Sequence, residues 1–379
     1  MDIRMKKSHM KQKNRRKRTA WIVLGILVFC LIAGCLIVLP PGKGRLEPFV
    51  DEKGQLLEGS IAERVFLDSA GASLGMFLVG KDETKPVLLF LGGGPGIPEY
   101  LLEDIYPTGL EEEFVVCYLE WRGTSFSYTP GMDAASMTTQ QYLEDVLTVT
   151  NYLRERFGQD KIYLMAHSFG TYIGLNMASV HPELYQAYIA MSQICNQKES
   201  EYAAYDYMRN MYEEEGNRKK VKQFDNYEIK ESEEDYYAYF NAMLRDFSMH
   251  ELGVGTARDM KSVITGLFFP SLRCRAYSPM ERIRIWQGKR FAQKTQVAMD
   301  ARNFDAFSEI QELKIPVYFL AGKYDYTCWY ELQKEYCEML QAPEKEFYTF
   351  QNSAHSPLFE EPEKARQILT DLVFTDKKS

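Results

Sequence analysis

A serine with small side chains two positions to either side, Ala166-His167-Ser168-Phe169-Gly170, is the segment of this chain best suited to covalent chemistry. Such spacing suits a strained turn between a strand and a helix that exposes a nucleophilic hydroxyl, because bulk at either flanking position would collide with the turn. Ile162–Ala166 reads as the strand and Phe169–Val180 as the helix. Without that setting, the pentapeptide would only mark a serine capping a helix. A serine hydroxyl needs a base, and the chain offers five histidines. His9 lies in a basic tail, His167 adjoins the serine and should point away from it, His181 precedes Pro182 at a helix end, and His250 falls in a helical insertion. His355 follows the last strand and precedes the last helix, where the base belongs in the chain order serine, acid, histidine. Asp325 lies in the segment that follows the preceding strand, 30 residues before His355. Its expected role is to hold the imidazole tautomer and stabilise the imidazolium.

Charge developing on an attacked carbonyl needs two backbone N–H donors. Phe169, directly after the serine, supplies one. The loop Gly92-Gly93-Gly94-Pro95-Gly96 supplies the other, from Gly93 or Gly94; no P-loop lysine or GxGxxG spacing follows that would make it a phosphate cradle. Eight short apolar runs must position these groups: Ile61–Leu67, Leu74–Val79, Val87–Leu91, Phe114–Leu119, Ile162–Ala166, Ala187–Met191, Val317–Ala321 and Phe347–Phe350. The first two flank the turn-like Asp68-Ser69-Ala70-Gly71 and suit a hairpin. The later runs are nearly continuous in apolar residues, as parallel strands covered on both faces are. Helical patterns alternate with them: Thr138–Phe157, opening on a Thr138-x-x-Gln141 capping box and ending at Gly158, then Phe169–Val180, Tyr326–Leu340 and Pro362–Phe374. This alternation is α/β architecture with a mostly parallel eight-stranded sheet. From Cys195 to Ser308 no convincing strand occurs, and so long a stretch cannot be structureless. It reads as a helical insertion, residues 195–308, dividing a core of residues 60–194 and 309–379.

Gly92–Gly96, Glu120-Trp121-Arg122-Gly123-Thr124-Ser125, the Ser168 turn, Asp325 and His355 together resemble the α/β-hydrolase fold, and within it the proline iminopeptidase (prolyl aminopeptidase) family. The resemblance covers roughly residues 60–375. It implies a helical cap after strand six and a serine peptidase working through an acyl-enzyme, without cofactor or metal. Three positions depart from the family pattern. Gly92 stands for the His of HGGPG, Glu120-Trp121-Arg122-Gly123 for DQRG, and Phe169 for the usual Trp. The substrate is therefore open, with a carboxylesterase or lipase as the rival enzyme and a non-catalytic binding protein of the same fold as the rival of another class. In the family, acidic cap residues hold the substrate's amino terminus. This insertion holds acids at Glu199, Glu201, Glu213, Glu214, Glu215, Glu231, Glu233, Glu234 and Asp235, most of them expected on a solvated face. Its tyrosines at 202, 205, 207, 236, 237 and 239 are candidates for cap core or for apolar pocket walls.

The chain of 379 residues is 45% apolar with a net charge of −8, long and apolar enough for a large core. Residues 1–18 carry nine Lys/Arg against Asp2, which leaves the body strongly acidic and argues against nucleic acid as its partner. Residues 19–39 contain no charge, and as a helix they would reach about 31 Å, matching a bilayer core of about 30 Å. The basic tail should stay cytoplasmic. A signal anchor over 19–39 would place the body outside, after a linker at 40–59. A lipoprotein reading through Ile32-Ala33-Gly34-Cys35 reaches the same side with Cys35 lipidated. Cys117, Cys195, Cys274, Cys328 and Cys337 are scattered and lack CxxC spacing, so neither a zinc nor a redox motif follows.

Overall fold

The apolar runs assemble into one eight-stranded sheet in a computed structural model that describes Trp21 and residues 42–376, with side chains as far as Val373. The strands are β1 (Ile61–Ser69), β2 (Ala72–Gly80), β3 (Val87–Leu91), β4 (Val115–Leu119), β5 (Ile162–His167), β6 (Tyr185–Met191), β7 (Val317–Gly322) and β8 (Lys345–Phe350). Their order across the sheet is β1-β2-β4-β3-β5-β6-β7-β8. β1 and β2 form the expected hairpin, β2 meets β4 antiparallel, and every later pairing is parallel. Successive side chains of a strand face opposite sides. On β3, Val87, Leu89 and Leu91 accordingly join one apolar core while Leu88 and Phe90 join the other, and all five are buried.

The helices of the core are α1 (Glu99–Ile105), α2 (Thr139–Phe157) and α3 (Phe169–Val180). Thr138 caps α2 by accepting the Gln141 amide, and Gly158 ends it in the left-handed conformation. The reciprocal half of the box is replaced: the Gln141 side chain donates to Asp145 instead. Asp145 is also the bidentate partner of Arg122, both of them buried. The two ends of the inserted segment meet between β6 and β7, where Asn196 bridges Asp305 and Ala306 N–H donates to the Cys195 carbonyl. Between those ends lie α4 (Gln197–Glu214), α5 (Arg218–Phe224), α6 (Glu233–Phe240), α7 (Met243–Glu251), α8 (Pro279–Ala292) and α9 (Gln296–Asn303). Tyr205, Tyr236 and Tyr239 build an apolar core of the insertion's own, with Tyr202, Tyr207 and Tyr237 packed against it.

The chain closes with α10 (Tyr330–Met339), α11 (Pro357–Glu360) and α12 (Pro362–Asp376). The helix expected from Tyr326 begins four residues later: Asp325 Oδ1 accepts the amides of Thr327 and Cys328 in a turn, and Trp329, at ψ 124°, is outside the helical conformation directly before Tyr330. All five described cysteines are free and buried. Among the described residues no helix is long and apolar enough to cross a membrane; the span expected at 19–39 lies outside them, apart from Trp21, as does Cys35.

Candidate active site

Ser168 sits between β5 and α3 with φ 53° and ψ −122°, a left-handed conformation costing of order 1–3 kcal/mol for a residue with a Cβ. The tight joint is possible because position 170 is glycine: a Cβ there would lie 2.2 Å from the Leu91 carbonyl at the end of β3. Phe169 opens α3, and the first amides of a helix have no acceptor within it. Gly93 lies beside the serine, since a Cβ at 93 would come within 3.2 Å of Ser168 Cβ. Ser168, Gly93, Gly94 and His355 line one cavity of about 190 Å³, and Ser168, Phe169 and Gly94 line an adjoining lobe of about 470 Å³.

His355 comes from the loop after β8. Its Nδ1 lies 3.0 and 3.1 Å from the two carboxylate oxygens of Asp325. Asp325 is fully buried and its Oδ2 also accepts from Gln333 Nε2, so the carboxylate is held from several sides. Glu360 Oε1 accepts the amides of Ala354 and Ser356 on either side of the histidine. Burial, against these bonds, raises the Glu360 pKa to about 7.

The remaining histidines serve elsewhere. His181 contacts Glu183 near the surface, and His250 donates from Nδ1 to the Asp246 carbonyl and meets the Thr256 hydroxyl at Nε2 while lining the smaller lobe. His167 does more than point away. Its Nδ1 lies 2.6 Å from Glu99 Oε1, and its Nε2 donates to the His355 carbonyl at 2.8 Å. Burial opposes charge on this ring, but the Glu99 carboxylate and the His355 carbonyl outweigh it and raise the pKa above the ordinary histidine value. Glu99 Oε2 also accepts the Gly93 amide at 3.3 Å. A second histidine–carboxylate pair thus ties the glycine loop to the His355 loop. Sequence reasoning missed Glu99, because an acid in the first turn of a helix ordinarily faces solvent and complements the helix dipole.

The Glu120–Ser125 segment supports the site from behind. The Trp121 indole N–H donates to the Gly92 carbonyl at 2.8 Å, and its ring stacks on Tyr142 and meets the edge of Phe169. Glu120 is buried, accepts from the Tyr277 hydroxyl at 2.6 Å, and has its pKa pushed up by burial to about 8. Of the nine acids singled out in the insertion, Glu201 alone is buried, and Arg245 holds it with Nε and Nη2 together. Asp246 is the carboxylate that lines both lobes. None of the six tyrosines lines either lobe; the apolar walls include Phe240, Phe247, Met243 and Ile264 in the larger one, Met249, Leu102 and Leu267 in the smaller, and Val263 in both.

Residues 86–362 match the family model described as the alpha/beta hydrolase fold. The chain is 30% identical over 301 residues to a Bacillus subtilis (strain 168) protein named "Probable aminopeptidase YbaC", covering 78% of this chain and 91% of that one. Its fold is similar to that of a proline iminopeptidase from Mycobacterium smegmatis, with a TM-score of 0.61 at 13% identity, covering 83% of this chain and 98% of the other. A proline iminopeptidase-related protein from Thermus thermophilus gives a TM-score of 0.51 at 20% identity, over 82% and 97% of the respective chains.

Proposed function

Since this chain belongs to the α/β-hydrolase family, we propose that it is a serine hydrolase of the aminopeptidase type, acting on short peptides and aminoacyl amides through Ser168, His355 and Asp325. One observation carries the reading: a serine held at positive φ on a strand-to-helix turn shares a cavity with a histidine whose Nδ1 is bonded to a buried aspartate. Ser168 Oγ attacks the carbonyl carbon while His355 Nε2 takes the hydroxyl proton. The tetrahedral oxyanion is held by the Phe169 amide together with that of Gly93 or Gly94. Gly94 is favoured, because the Gly93 amide is directed at Glu99. Collapse expels the amine with the proton from His355, leaving the acyl-enzyme; water then repeats the sequence and restores the serine.

Two features support a substrate with a free amino terminus: the 30% identical relative named as an aminopeptidase, and Asp246 on both lobes. Glu201 is a poorer partner for the ammonium, its charge being met by Arg245. The test is a panel of free prolyl and small apolar aminoacyl amides against their N-acetylated forms. Faster cleavage of the free forms supports the reading, whereas equal rates, or activity confined to acyl esters, would move the chain to the esterase class.

We further propose that residues 19–39 anchor the enzyme in a membrane with residues 1–18 inside and the catalytic body outside. The uncharged run behind nine cations supports this. Protease added to intact cells should digest the body and spare the tail; a protected body would reverse the topology. Acyl labelling lost in Cys35→Ala would favour the lipoprotein form.

A further inference from the structure

The cleft is unequally charged. On its catalytic wall, His355 faces Asp325 and His167 faces Glu99. On the cap wall, Arg245 is matched by Glu201, but two other cations are not matched. Lys289 lines both lobes, and its ammonium has no carboxylate within 4 Å among the described residues. Its surroundings are the Trp286 ring, 5.7 Å away, and the longer-range field of Asp246. Arg302 lines the larger lobe over the Phe240 ring, and its Nη2 donates to the Gln293 carbonyl at 3.2 Å, again with no carboxylate within 4 Å among the described residues. Burial pulls both cations' pKa values down, the direction expected where no carboxylate offsets desolvation.

Lys289 is also firmly placed. Its helix α8 starts from a complete capping box of Ser278 and Glu281. The backbone of α8 touches the glycine loop itself: a Cβ at Gly96, where φ is +104°, would fall 2.8 Å from Lys289 Cα. The backbone of this residue is thereby held beside the glycine loop, and its side chain enters the cleft from there. Unpaired charge in a partly desolvated cleft is costly, and a ligand anion removes the cost.

We propose that Lys289, with Gln293 and Arg302 beside it, binds a carboxylate carried by the substrate, so that short peptides with a free C-terminal carboxylate are cleaved in preference to the corresponding peptide amides. The identity of that carboxylate as a peptide C-terminus rests on the aminopeptidase reading; the anion site itself does not. Asp246 and Lys289, lining the same lobes, then meet the two ends of a zwitterion. A charge-assisted hydrogen bond of this kind corresponds to about ten- to hundredfold in kcat/KM.

The test measures the ratio of kcat/KM for prolyl-alanine to that for prolyl-alanine amide, in the full-length protein and in Lys289→Met and Lys289→Arg. A ratio is independent of the folded fraction of each variant. The expected result is a ratio of about 10–100 in the parent chain, a fall of at least tenfold in Lys289→Met, and retention in Lys289→Arg. A ratio near one in the parent, or an unchanged ratio in Lys289→Met, overturns the site. The same variants are assayed on p-nitrophenyl hemisuccinate and p-nitrophenyl valerate. Should neither peptide be cleaved, the aminopeptidase reading fails. A Lys289-dependent preference for the hemisuccinate would then still support the carboxylate site, and its absence would overturn it.

Discussion

The end of the sheet and the cap over it treat charge in opposite ways. At the sheet end, the charged side chains around Ser168 are already bonded: Asp325 to His355, Glu99 to His167, and Asp325 again to Gln333 and two backbone amides. Across the cleft, Lys289 and Arg302 stand without carboxylates within 4 Å among the described residues, and Asp246 is half-exposed. Groups that do the same chemistry on every substrate gain from being oriented before substrate arrives. Groups that choose the substrate gain from being completed by it. Changes at the sheet end should therefore lower turnover of all substrates alike, and changes in the cap should alter the ranking of substrates.

The largest effect expected is that of Ser168→Ala, a fall in kcat of about 10⁴–10⁶ on every substrate, with His355→Ala nearly as severe because the two act as a unit. Selective loss on one substrate class would break the contrast between sheet and cap. Next comes Glu99→Gln, which leaves His167 without its carboxylate and loosens the tie between the Gly93 and His355 loops. A drop of about ten- to hundredfold in kcat with little change in KM is expected, by the cost of a buried donor left poorly partnered. A rise in KM at constant kcat would instead mark Glu99 as a substrate contact. Asp246→Asn should act in the other manner, reducing the preference for free over N-acetylated aminoacyl amides by about tenfold. An unchanged preference would move ammonium recognition away from Asp246.

The smallest effect concerns stability alone. Glu120 holds its proton up to about pH 8 in the fold, whereas an unfolded glutamate releases it near 4.5. Between those values the native state binds the extra proton, so this residue makes stability fall as pH rises from about 5 to 8. Glu120→Gln keeps the neutral form at every pH, and its thermal midpoint should decline less than that of the parent over this range. Parallel curves would mean that Glu120 ionises as freely in the fold as outside it.

Much of the sheet is legible in the sequence, because the strands from β3 to β7 are nearly unbroken apolar runs buried on both faces, Gln186 of β6 being the exposed exception. Boundaries are harder to read where side chains compete for the backbone. Asp325 holds a turn by accepting two amides and α10 starts only after the non-helical Trp329, while the Gln141 side chain turns from its cap to Asp145. At the site, chain order points to Ser168, Asp325 and His355, and the structure places Ser168 and His355 on one cavity with Asp325 behind the histidine. Glu99, Glu360 and Lys289 are not legible, since each resembles an ordinary solvated helix residue until tertiary packing turns it inward. The tyrosines of the insertion show the converse: helical spacing leaves wall and core open, and packing assigns them to the core.

The most direct test of a nucleophilic Ser168 is intact-mass analysis of the full-length protein after exposure to a fluorophosphonate, followed by peptide mapping. A single adduct on Ser168, absent in Ser168→Ala and formed far more slowly in His355→Ala, is the predicted result. An adduct on another residue, or undiminished hydrolysis by Ser168→Ala, would contradict it.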